Sequence, residues 1–245
     1  MNSVKSVEVG VTSPTPDIAL GKGALVAGLG LLIMFFPAVF ANFFVFEGLV
    51  VPEDAAATAS NIMANQALFR LGNVSWLIVL ICDVAVAWGL YVFLKPVNKS
   101  LSLLTAWLRL VYTTIHAAIL FNLVIVLALL GDANYAAVLG ADQLHALMML
   151  FLEGRNLGFM IALVFFGFHL LILGYLVFKS GYVPKYLGIL LIVGGLGWLF
   201  DSFGLMLLPN FDLTVSEFTF VGELLILFWL LIRGRKVEMA GIEAA

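Results

Sequence analysis

Six ionisable side chains stand inside long apolar runs of this chain: Asp83, Arg109, His116, His169, Asp201 and Glu223. Carboxylates and imidazoles in such places can bind a small ligand, exchange a proton or act as acid and base, because burial ties their charge state to their neighbours. A charge at bilayer depth costs about 2.5–3.5 kcal/mol on insertion scales, so each group is expected to face protein or water. Counting along helices from one end of the runs puts Asp83, Arg109, His169 and Glu223 in one layer, about 14–18 Å deep and near the midplane. His116 and Asp201 lie about 22–24 Å from the same end. Asp83 and Arg109, on consecutive antiparallel spans, are expected to pair, since an unpaired arginine in hydrocarbon is far costlier. Glu223 has no partner in its own helix and is expected to be protonated, bound to Arg109 or a histidine, or open to a wet cavity. These six are the candidate ligand- or proton-binding residues, and none is assigned a catalytic role.

Other chemistries find little here. Bis-histidine haem ligation would need His116 and His169 at one depth, and they differ by about 9 Å on a straight-helix count. The single cysteine, Cys82, sits in an apolar run and can form neither an intramolecular disulfide nor a thiolate metal site. No Walker loop, nucleophile elbow, HExxH or paired CxxC occurs, so no metal and no cofactor is expected. There is no basic tract, and nucleic acid is not an expected partner.

The elements that must position these groups are long apolar helices. Of the 245 residues, 63% are hydrophobic and 11% are charged, too little charge to cover a soluble domain of this size. Lipid is then the solvent, and backbone groups must be paired within helices, because the unbroken apolar runs exclude an alternating barrel pattern. Six runs are long enough to span: 23–46, 71–94, 101–130, 157–178, 187–208 and 216–232. The expected fold is an all-α, polytopic transmembrane bundle of six spans over 22–234, with a tail at 1–21 and another at 235–245. The polar first twenty residues do not read as a cleavable signal peptide, so the first span is expected to be an uncleaved anchor.

Basic residues set the orientation. With the N-terminus inside, Lys5, Lys22, Lys95, Lys99, Lys179, Lys185, Arg233, Arg235 and Lys236 are cytoplasmic, and only Arg70 and Arg155 fall outside. Both termini are therefore expected in the cytoplasm, and the localisation is the cell inner membrane. Two exoplasmic connections should hold short interfacial helices. One starts at Asp54, as a cap, and runs to about Phe69. The other covers Asp142 to Leu152, with Gly154-Arg155-Asn156 breaking it from the fourth span. Short cytoplasmic links at 95–100 and 179–185 make two helical hairpins. Gly167, Gly174 and Gly181 recur every seven residues, as do Gly188, Gly195 and Ser202, a small-residue seam suited to close packing. The endings Gly89-Leu90-Tyr91-Val92-Phe93-Leu94-Lys95 and Gly174-Tyr175-Leu176-Val177-Phe178-Lys179 also align the hairpins as a parallel repeat.

Several segments carry a family resemblance. Leu68-Phe69-Arg70-Leu71-Gly72, Cys82-Asp83-Val84-Ala85, Leu94-Lys95-Pro96-Val97-Asn98-Lys99, Phe165-Phe166-Gly167-Phe168-His169, Lys179 to Gly188, and Gly222-Glu223-Leu224 with Trp229 to Gly234 are those segments. The chain resembles a bacterial integral-membrane family, domain of unknown function 4386. The resemblance implies a bacterial six-span membrane protein and assigns no activity and no residue roles.

Three functions fit these observations. The first is a small-molecule binding or proton-linked transport protein with its site in the midplane layer. There Arg109 would neutralise carboxylates or an anionic group, and the histidines and Glu223 would exchange protons. The second is a structural, sensor or accessory protein whose polar layer only fixes packing. The third is a membrane-embedded enzyme acting on a lipid or quinone. The expected partners are the lipid bilayer and a small-molecule or lipid ligand. Cavity geometry separates the three: a wet pocket reaching one face favours transport or binding, a sideways opening to lipid favours the enzyme, and a dry paired layer favours structure.

Overall fold

The structure is a computed structural model that describes residues 19–209, 211 and 213–238. Lys5, Asp212 and most of the two tails lie outside the described residues. Every regular element among the described residues is helical, and five helices are long and apolar enough to cross a membrane.

The first begins as α1 (Leu20–Val39), continues through a π-helical stretch (Phe40–Phe46) and ends with α2 (Glu47–Leu49), one rod of 30 residues. Pro37 lies three residues before the π stretch, where its missing N–H and its ring loosen the α-helical ladder. After the link, α3 (Ala55–Ala64) starts on Asp54, whose carboxylate accepts from the N–H of Ala57 at 2.8 Å. The capped start is therefore as expected. The end is earlier: Asn65 leaves the helical region (φ −126°, ψ 40°), and Phe69 belongs to the next helix, fully buried against Phe46.

That helix is α4 (Gln66–Leu94), joined by the short link to α5 (Lys99–Gly131), which Asn98 caps by accepting from Leu101 N–H. A short helix, α6 (Ala133–Leu139), follows at the far end. The separate helix expected over Asp142–Leu152 does not form. Instead α7 (Ala141–Lys179) is one unbroken helix of 39 residues, about 58 Å long, which must project beyond a bilayer. The reason lies in its buried face. Leu144, Met148, Leu152 and Arg155 are buried at spacings of three and four, and Met148 and Leu152 join Leu120, Leu123 and Val126 of α5 in one apolar cluster. This stripe holds the helix through Gly154, whose bare Cα lets the Asn122 side chain approach and whose intrinsic cost is only about 1 kcal/mol.

The second hairpin closes onto α8 (Lys185–Leu207) through a link in which Gly181 adopts a positive φ of 76°. The last apolar run forms two pieces, α9 (Ser216–Thr219) and α10 (Val221–Ile232), joined at Phe220. At one end of the bundle the Tyr182 hydroxyl donates to the Phe93 carbonyl, Trp229 lies against Phe93, and the Gly234–Lys236 turn packs on the start of α1. The helix ends that carry Lys22, Lys95, Lys179, Lys185 and Arg235 therefore meet at one end.

The glycine seam is narrower than its sequence period. Gly174 faces Gly188 and Gly167 faces Gly195 across α7 and α8, while Gly181 is in the link with open space around it. A methyl at Gly174 would lie 2.6 Å from the Gly188 carbonyl oxygen, whereas at Gly48 it would meet nothing within 4 Å. Gly174→Ala is expected to destabilise the protein by about 1–3 kcal/mol, the cost of overpacking, despite alanine's better helix propensity. Gly48→Ala should be neutral or mildly stabilising. Thermal melts of the two variants in one detergent check the difference in sign.

Candidate functional site

Asp83, Arg109 and His169, three of the four residues expected in one layer, meet around a buried ion pair. Asp83 on α4 is fully buried and Arg109 on α5 is 3% exposed. Arg109 Nε and Nη2 both donate to Asp83 Oδ1, at 2.8 and 2.5 Å. The expected pair is present, and His169 on α7 joins it. Its Nδ1 lies 2.8 Å from the Thr105 carbonyl oxygen, an acceptor only, so Nδ1 carries the proton. That leaves the Nε2 lone pair to accept from Arg109 Nη1 at 3.3 Å. The Thr105 hydroxyl donates to the His169 carbonyl at 2.9 Å and completes the clamp. The face of Phe166 covers the guanidinium at 5.4 Å. Three helices are thus tied by one guanidinium, while Asp83 Oδ2 is buried without a hydrogen-bond partner.

Glu223, near the start of α10, lies on the other side of the same space. Its partner is the indole N–H of Trp198 on α8, which donates to Oε1 at 3.0 Å, and it makes no hydrogen bond to Arg109 or to a histidine. Between Glu223 and the ion pair lies a cavity of about 480 Å³. Asp83, Arg109 and Tyr112 border it on one side and Glu223 on the other, and Asn42, Ser216 and Glu217 are the further polar residues in an otherwise apolar lining. Its outer wall comes from Phe35 and Phe43 on the first rod and Phe220 before α10, all exposed on the outside of the bundle. The first rod and α10 touch near Gly28 and Leu231, and the cavity lies where they part, beside the π stretch. The exposed lining residues place its opening between the first rod and the segment leading into α10.

The other two candidates stand apart. Asp201 accepts the backbone N–H groups of Val215 and Ser216, both at 2.8 Å, one on each oxygen. It anchors the start of α9 and spends both oxygens doing so. His116 is fully buried among Trp76, Tyr112 and Phe159, and neither ring nitrogen has a partner. Among the described residues no three His, Cys, Asp or Glu side chains converge as metal ligands.

Sequence reasoning missed Thr105, Trp198 and Arg155. Trp198 and Glu223 sit on antiparallel neighbours at similar depth, a signal that depth counting would have found had it included indoles. Arg155, expected in a helix break, is 7% exposed inside the bundle. Removing one member of a buried ion pair strands the other, at a cost of about 3–5 kcal/mol. Asp83→Leu is therefore expected to lower stability by that amount. The double variant Asp83→Leu with Arg109→Met should recover most of the loss, as unfolding of the three proteins in detergent would reveal.

The family described as Domain of unknown function (DUF4386) matches residues 26–234, which include all six candidate residues. An uncharacterized protein of Archaeoglobus fulgidus is 35% identical over 161 residues, covering 66% of this chain and 82% of its own length. No solved structure matches. The chain, an all-helical protein with five helices apt for a membrane, thus belongs to the DUF4386 family.

Proposed function

We propose that this is a six-span inner-membrane protein, with both termini in the cytoplasm, that binds a small amphipathic molecule entering from the bilayer. The observation that carries the reading is the cavity. Its volume falls within the roughly 300–1,000 Å³ usual for small-molecule sites, and a few polar groups, Glu223 on one side and the ion pair on the other, interrupt a mostly apolar lining. An apolar body would fill the space between the first rod and α10, and a hydrogen-bonding head would meet Glu223. The sideways mouth favours a ligand that partitions into lipid over a solute crossing from one face to the other. Binding therefore has more support than proton-linked transport, in which Glu223 would carry the proton.

The six-span reading is supported by the gathering of basic helix ends and by the apolar outer face of 220–232, where Phe220, Val221, Leu225, Phe228 and Ile232 are exposed. A C-terminal green fluorescent protein fusion in a bacterial host should be bright and a C-terminal alkaline phosphatase fusion inactive. The opposite pattern would put the C-terminus outside and overturn the reading of six spans with both termini in the cytoplasm.

The ligand is sought by thermal stability of wild type and Glu223→Gln in detergent, against quinones, isoprenoids, fatty acids and polar metabolites. A binder at about a hundred times its Kd adds about 2.7 kcal/mol to wild type, and the variant should lose most of that. If nothing shifts wild type and Glu223→Gln only melts lower, the polar layer is a packing device. The same mouth also fits an enzyme acting on a lipid or quinone. Turnover of a stabilising ligand by wild type, absent in Glu223→Gln, would favour that reading.

A further inference from the structure

Arg155 is the second buried cation of the bundle, and its surroundings differ from those of Arg109. It is 7% exposed, yet no carboxylate among the described residues pairs with it. Its guanidinium carbon lies 4.8 Å from the ring centre of Phe46, 5.4 Å from Trp76 and 5.6 Å from Phe159. Nη1 donates to Asn156 Oδ1 at 3.0 Å, while the buried Nε donates to nothing. Aromatic faces hold a cation in place but return only part of its lost hydration, so the local charge stays uncompensated. Arg155 also lines a cavity of about 250 Å³ with Asn42, Phe46, Glu47 and Asn156. Glu47, the carboxylate there, is exposed and accepts from Asn42 at 3.3 Å.

We propose that this cavity is an anion site in which Arg155 takes one phosphate oxyanion, with Asn156 and Asn42 as neutral partners. The planar guanidinium fork suits such a group. Depth points to the source. Counted along α7 from Lys179, Arg155 is about 36 Å away, beyond a hydrocarbon core and level with the opposite headgroups. Asn42 borders both this cavity and the larger lateral one, so an anionic phospholipid could place its phosphate at Arg155 with chains along the bundle. The site does not depend on what the lateral cavity binds.

The test uses the full chain in a neutral detergent, with phosphatidylglycerol, phosphatidylcholine or inorganic phosphate added at matched ionic strength. Phosphatidylglycerol is expected to raise the Tm of wild type and of Glu47→Gln by about 3–5 °C. Phosphatidylcholine should not, and Arg155→Gln should lose the shift. An equal shift from inorganic phosphate alone would assign the site to the free anion. An equal phosphatidylglycerol shift in Arg155→Gln, or none in wild type, overturns the proposal. So does loss of the shift in Glu47→Gln, which would make that carboxylate part of the response. Should Arg155→Gln not fold, native mass spectrometry of wild type and Arg155→Lys replaces it. Preferential retention of phosphatidylglycerol by wild type, weakened in the lysine variant, supports the site, and equal retention of both lipids by wild type overturns it.

Discussion

A guanidinium cannot stand alone in hydrocarbon, and the bundle is arranged around that constraint. Arg109 brings α5 to Asp83 on α4 and to His169 on α7, and Thr105 in turn holds the imidazole in the one tautomer that can accept from it. The contact is directional at every step, so it fixes the rotation of three helices about their own axes. Apolar packing alone leaves that rotation loosely set, because leucine-rich faces resemble one another and lipid offers them a comparable environment. The net stability of such a pair is modest, and its larger effect is on which arrangement forms.

Close glycine contacts and a loosened helix then divide the molecule into a tight part and an open part. Where α7 meets α8, Gly167 and Gly174 let the backbones touch. Where the first rod passes the polar layer, Pro37 and the π-helical turn widen its course, and the lateral cavity lies beside this stretch. Such π turns recur at functional sites because the extra residue per turn re-aims side chains at the cost of ladder hydrogen bonds. The cavity thus occurs where backbone geometry is least economical, one argument that it serves more than packing.

Depth counting along apolar runs located Asp83, Arg109, His169 and Glu223 in one layer, because helix rise is fixed and the runs are long. The partners within that layer were less legible. Asp83 and Arg109 lie on consecutive spans and could be paired on sequence alone, whereas the third member required knowing that α7, not α1 or α8, lies against α5. The reading of α7 failed for a local reason: Gly154-Arg155-Asn156 has the composition of a break, but the stripe from Leu144 to Arg155 continues through it. A hydrophobic period crossing a suspected break is stronger information than the break residues. The interfacial helix that starts at Asp54 has no sequence signal for its end before Phe69, and only the backbone dihedrals at Asn65 reveal the turn there.

Two carboxylates of similar sequence context illustrate how satisfaction separates roles. Asp201 and Glu223 both lie in apolar runs near the same helix pair. Asp201 gives each oxygen to a backbone N–H at the start of α9, so any ligand there would have to displace a hydrogen bond that the fold needs. Glu223 receives one indole N–H and borders open volume. Buried polar groups are nearly always bonded, and a group with spare capacity beside a cavity is where an outside molecule finds an acceptor without breaking the protein's own bonds. By that criterion Asp201 belongs to the scaffold, and Glu223 is the carboxylate of the two with capacity left beside the cavity.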